Sequence, residues 1–139
     1  MLYTIKNESM SVTIETLGAE LQSITGANGT EYLWYGDAEY WRGRATNLFP
    51  YVGRMTDGNY IYKGKKYPMG PHGFARNMEF AAQQESESSV IFTLTDNEST
   101  RECYPFRFAF SVIYTLVGTE LRTIYRVENK GEETMYFGL

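Results

Sequence analysis

The chain is short of several things. It has one cysteine, Cys103, in 139 residues, which excludes an internal disulfide framework and suits a reducing, cytoplasmic setting. It has one histidine, His72, and one histidine with one cysteine cannot build a zinc site of ordinary composition. Positive charge is not in excess. The formal net charge is −4, and no basic stripe suits nucleic acid. No apolar run is long enough to span a membrane. The first residues, Met1-Leu2-Tyr3-Thr4-Ile5-Lys6-Asn7, lack the basic-then-apolar order of a signal peptide. No phosphate-cradling glycine loop is evident. Helical periodicity is also missing, so no helix longer than about two turns is expected.

Aromatic residues are plentiful, at 16%, with 12 Tyr and 8 Phe. Such residues favour strands and also stack on sugar faces. Alternation of period two dominates the chain. It predicts strands over Leu2 to Lys6, Ser11 to Glu15, Ala19 to Ile24 and Glu31 to Trp34. Asp37 to Gly43 reads as one helical turn with Asp37 as its N-cap. Tyr60 to Lys63 and Lys66 to Met69 read as a hairpin turning at Gly64-Lys65. Glu79 to Gln84 and Val90 to Thr95 flank a polar tip. Phe106 to Val117 and Glu120 to Glu128 form the strongest hairpin, turning at Gly118-Thr119. The class is therefore all-β, a large antiparallel sandwich. The last run, Glu133 to Leu139, has an apolar strand pattern, and a longer polypeptide cut at this point is the expectation.

Two proline-shaped loops carry the chemistry. In Met69-Gly70-Pro71-His72-Gly73-Phe74-Ala75-Arg76, proline fixes one φ and glycine lets the backbone turn. This loop presents the one side chain whose unperturbed pKa lies near neutrality. In Asn47-Leu48-Phe49-Pro50-Tyr51-Val52-Gly53-Arg54, an apolar run delivers a guanidinium directly after glycine. Arg54 then offers several donors in a rigid, permanently charged fork. The hairpin between the loops is expected to bring Arg54, His72 and Arg76 to one end of the sheet. A surface ion pair and a structural histidine remain open on spacing alone.

These residues resemble the N-terminal part of the aldose 1-epimerase, or galactose mutarotase-like, superfamily. The likeness is closest to the bacterial branch that reads Leu-Phe-Pro-x-Val-Gly-Arg and then His-Gly-Phe-Ala-Arg. Leu17-Gly18-Ala19-Glu20-Leu21, Glu31-Tyr32-Leu33-Trp34 and Tyr40-Trp41 support it in the same order. The resemblance covers essentially all of residues 1–139. It implies the N-terminal portion of one β-sandwich domain whose members are roughly twice as long. It implies that Arg54 binds sugar hydroxyls or the ring oxygen. It implies that His72 is the first active-site histidine, which holds substrate and supports proton transfer. Arg76 belongs to the extended motif also found in relatives acting on hexose 6-phosphates, where an arginine suits phosphate. No metal or organic cofactor is implied. The family's second histidine and late glutamate have no match here, and Glu79, Glu102 and Glu128 read as solvated residues. The resemblance thus implies anomer interconversion, in a chain without the acid–base pair. The alternatives are a hexose-6-phosphate 1-epimerase-like enzyme and a non-catalytic carbohydrate-binding or regulatory module. Expected partners are a sugar or sugar phosphate, with self-association through open sheet edges and neither nucleic acid nor membrane. Trp34, Trp41, Phe49, Tyr51 and Phe74 are the aromatics available to a sugar, with core packing as their competing role.

Overall fold

The computed structural model describes Met1–Leu139. Leu2–Lys6 (β1), Met10–Glu15 (β2) and Glu20–Gly26 (β3) form an antiparallel three-stranded sheet in sequential order. The Asn7 side chain closes its first turn by accepting from the backbone N–H groups of Ser9 and Met10. Alternation puts Ile5, Val12 and Ile14 on one face, fully buried.

Asn59–Tyr62 (β4) and Lys65–Pro68 (β5) form a separate hairpin. Ala81–Ser86 (β6), Ser89–Thr95 (β7), Phe108–Val117 (β8) and Glu120–Asn129 (β9) form a four-stranded antiparallel sheet, again in sequential order. Glu98–Cys103 (α1) is the only α-helix. The inner face of the larger sheet contributes Val90, Phe92, Phe110, Val112 and Tyr114 to one core with Ile5, Val12 and Ile14. Tyr3 meets Phe92 edge-on at 5.7 Å across the two sheets. Each large side chain so buried contributes roughly 1.5–3 kcal/mol. This is the expected antiparallel β-sandwich.

The sequence-based expectations differ from the structure in several places. Glu31 to Trp34 is not a strand; only a single bridge joins Glu31 to Thr25. The Glu31 carboxylate accepts from the N–H groups of Ile24 and Leu33, taking the part a ladder partner would play. Burial opposes its ionisation, but those bonds and the hydroxyls of Ser23 and Thr25 outweigh it and hold its pKa at about 2. The β4–β5 hairpin turns at Lys63-Gly64, one residue earlier than expected, because Tyr62 pairs with Lys65. Both turn residues have positive φ, 48° and 76°. β6 and β8 each start two residues later than expected, at Ala81 and Phe108, and β3 runs on to Gly26. Helix α1 was absent from the expectations. It is set by a capping box in which Asn97 accepts from the Thr100 N–H and the Thr100 hydroxyl accepts from Asn97. The Asp37 turn is present: its carbonyl accepts from Trp41 N–H at 2.8 Å and its side chain caps Glu39 N–H.

Candidate functional site

The site grows from Phe49. Its ring is fully buried, stacked on Phe110 at 4.7 Å and close to Phe108 at 5.1 Å. The core thereby fixes the start of the first loop, which continues through a cis Phe49–Pro50 peptide. The Phe49 carbonyl accepts from Phe74 N–H at 3.0 Å and Ala75 N–H at 3.1 Å. The second loop is thus bonded to the root of the first. Only glycine fits at position 73. Its φ is +71°, and a Cβ there would lie 2.2 Å from the Phe49 oxygen.

A reciprocal pair closes the two loops. The Gly53 carbonyl accepts from His72 N–H at 2.7 Å, and Gly53 N–H donates to His72 Nδ1 at 3.1 Å. The sequence places Arg54 directly after Gly53, so this pair brings the Arg54 backbone to the His72 loop. Met69 N–H donates to the Gly58 carbonyl at 2.9 Å and ties the ends of the β4–β5 hairpin between them. The hairpin therefore brings the loops together, as its spacing predicted. His72 is half-buried and holds φ = 63°, a left-handed conformation uncommon outside glycine.

Arg54 is exposed and lines an open groove of about 630 Å³ with Met55, Asp57, Pro68, Met69 and Pro71. No hydrogen bond or ion pair within the chain engages its guanidinium. Asp57 supplies the one carboxylate of that lining, from a turn where its own φ is 55°. Arg76 is placed differently. One guanidinium nitrogen donates to the Pro71 carbonyl at 3.1 Å. Its backbone passes so close to Gly18 that a Cβ there would lie 2.8 Å from the Arg76 oxygen.

Asn47 is the supporting residue that sequence reasoning passed over. It is buried, and its amide donates to the carbonyls of Gly18 and Ala19, both at 2.9 Å. Tyr125 donates to its side-chain oxygen at 3.1 Å, and Tyr114 donates to the Ala19 carbonyl at 2.9 Å. The only available signal was a polar residue in an otherwise apolar run. Burial pushes the phenols of Tyr60, Tyr104 and Tyr114 upwards, so they serve as neutral donors. Burial raises the Cys103 thiol as well.

Of the aromatics open to a sugar, Phe49 is sealed in the core, and Phe74 packs on Phe108 at 6.1 Å. Tyr51 packs on Tyr60 at 5.3 Å. Trp34 and Trp41 are exposed in the loop after β3, where Trp34 donates to the Trp41 carbonyl. No group of three or more His, Cys, Asp or Glu side chains is gathered as a metal ligand set. No helix is long and apolar enough to cross a membrane.

Residues 1–139 match the family model described as aldose 1-epimerase. Protein LacX of Lactococcus lactis subsp. lactis, in its plasmid and chromosomal forms, is 39% identical over 144 residues. That match takes in 99% of this chain and 48% of LacX. A galactose mutarotase related enzyme from Lactobacillus acidophilus superimposes with a TM-score of 0.96 at 45% identity, over 99% of this chain and 46% of its own. A galactose mutarotase-like protein from Lactobacillus casei ATCC 334 gives 0.95 at 37% identity, over 99% and 47%. The chain thus spans about half the length of the relatives it matches.

Proposed function

The chain belongs to the aldose 1-epimerase family, and from that premise we propose that Arg54 and His72 hold an aldose for interconversion of its α and β anomers. The observation that carries this reading is the reciprocal Gly53–His72 pair, which fixes the imidazole on the residue directly before Arg54, whose free guanidinium lines the groove formed with Met69, Gly70 and Pro71. Arg54 supplies donors to sugar hydroxyls or the ring oxygen. The His72 ring supplies a further polar contact at the same sugar.

Mutarotation needs two proton transfers. A base takes the proton of the anomeric hydroxyl while an acid protonates the ring oxygen. The C1–O5 bond then opens, C1 rotates about C1–C2, and reclosure gives the other anomer. Both transfers need groups whose pKa values are tuned towards working pH. Asp57 brings one carboxylate to the groove, and the chain has no second histidine to act with it. Residues 1–139 are therefore the N-terminal portion of a sandwich domain that grips the sugar without turning it over. A cytoplasmic setting belongs to this reading, since the lone thiol has no disulfide partner.

The sugar is an unphosphorylated aldose. A hexose 6-phosphate would call on Arg76, and that guanidinium is turned onto the Pro71 carbonyl. Titration with glucose, galactose and glucose 6-phosphate, followed by polarimetry, tests both points. The expected result is weak binding of an aldose, no gain from the phosphate, and anomer exchange at the spontaneous rate. Enzyme-level turnover by these 139 residues, or a marked preference for the phosphate that Arg76→Ala removes, would overturn the reading.

A further inference from the structure

We propose that Arg76 is a positioning residue for His72. Through the Pro71 carbonyl it keeps the imidazole on the Gly53 N–H, and so keeps the neutral ring in one tautomer, with its proton on Nε2.

The tautomer follows from the donor. A backbone N–H only donates, so Nδ1, which receives it at 3.1 Å, must present a lone pair. The single proton of the neutral ring then sits on Nε2. In that form His72 is a hydrogen-bond donor at Nε2 and has no free basic nitrogen, a distinction set by what the other nitrogen contacts.

The positioning role follows from the backbone. His72 sits in a left-handed conformation that a non-glycine residue holds only when its surroundings fix it. One restraint is the His72 N–H to the Gly53 carbonyl at 2.7 Å. A second is the turn bond from Gly73 N–H to the Gly70 carbonyl at 3.2 Å, which spans Pro71 and His72. A third is Arg76, which reaches back across the loop to the carbonyl immediately before His72. Its own backbone is well anchored. Phe74 and Ala75 are bonded to Phe49, and Ala75–Asn77 forms a single 3-10 turn with Ala75 buried. Gly18, held by Asn47, lies against the Arg76 backbone. The guanidinium thus spans from a fixed turn to the carbonyl of the peptide that leads into His72. Nothing in this arrangement requires Arg76 to touch a ligand. The use of the Nε2 donor by a sugar rests on the function proposed above; the tautomer does not.

The test exploits the single histidine, which gives one unambiguous ring in a long-range proton–nitrogen NMR spectrum. At pH about 8.5, well above the ordinary imidazole range, the wild-type ring is expected to show an unprotonated Nδ1 and a protonated Nε2. In Arg76→Ala the two nitrogens are expected to move towards the averaged positions of a free, two-tautomer ring. Exchange of the Gly53 amide is expected to speed up about tenfold or more as its acceptor is lost. Arg76→Lys, which keeps a charged donor, is expected to restore part of both signals. Aldose binding should weaken about fivefold in Arg76→Ala, the effect of one misdirected hydrogen bond. A wild-type ring with a protonated Nδ1, or with mixed tautomers, overturns the proposal without any variant. So does a folded Arg76→Ala or Arg76→Lys protein whose ring spectrum is unchanged, and that result leaves the sugar reading standing. Failure of the wild type to bind any aldose would instead remove the sugar reading and leave the tautomer untouched.

Discussion

The loops around Arg54 and His72 and the strand β9 use their backbones in opposite ways. In the loops, Phe49 accepts from Phe74 and Ala75, and Gly53 exchanges main-chain and ring hydrogen bonds with His72. Strand β9 pairs with β8 over ten residues and then presents its other edge to nothing. Its partner β8 is buried along almost its whole length, whereas Ile124 and Tyr125 of β9 stay 54% and 48% exposed. The loops are closed by residues of this chain alone. The edge is open to whatever can add a strand. Binding and assembly are therefore separable, and mutations should move one without the other.

Gly73→Ala should have the largest effect. It forces a Cβ into the Phe49 carbonyl at a left-handed position, which should cost about 3 kcal/mol or more and abolish aldose binding. Urea unfolding and a sugar titration measure both, and near-wild-type stability would mean the two loops are not held as described. Asn47→Ala should follow, at about 2–3 kcal/mol, because it leaves the Gly18 carbonyl and the Tyr125 hydroxyl without their partner and the Ala19 carbonyl with Tyr114 alone. Self-association should be unaffected by it. Ile124→Lys addresses the other side of the comparison. The wild type is expected to self-associate in sedimentation, and a charge on β9 should weaken that about tenfold while shifting stability by under about 0.5 kcal/mol. A wild type that stays monomeric at high concentration, without binding an exposed-hydrophobe dye, would close the comparison.

The smallest effect concerns Glu31. Its folded pKa of about 2 lies below the ordinary carboxylate value of 4.5. Its contribution to stability is thus fully present above about 4.5 and is lost as pH falls through about 2. Glu31→Gln should flatten that part of the acid-denaturation curve only slightly, because the side chain is exposed and solvent screens it. An acid midpoint unchanged by the substitution would show that the Glu31 bonds do not form in solution.

Much of the fold was legible because strand alternation is local. β1 has the expected bounds, and the β8–β9 turn falls at Gly118-Thr119 as its glycine implied. The meeting of the two loops was legible too, since both motifs flank a short hairpin. Features set by side-chain bonds to the main chain, near or distant in sequence, were not. No pattern marks Glu31 as a substitute for a strand partner, and a lysine at φ = 48° is an uncommon choice for a hairpin turn. α1 is too short for an apolar period, and its capping box has Thr where Glu or Gln is the usual signal. Asn47 looked like a loop residue because the carbonyls it satisfies lie 28 and 29 positions away. The acceptor of Arg76 is a main-chain carbonyl, which leaves no trace in side-chain identity.

The last residues run back alongside the site. Gly138 N–H donates to the Pro50 carbonyl at 2.8 Å, and Tyr104 donates to the Tyr136 carbonyl at 2.8 Å. A purification tag, fluorophore or surface tether attached after Leu139 would therefore pull on the loop that follows Phe49.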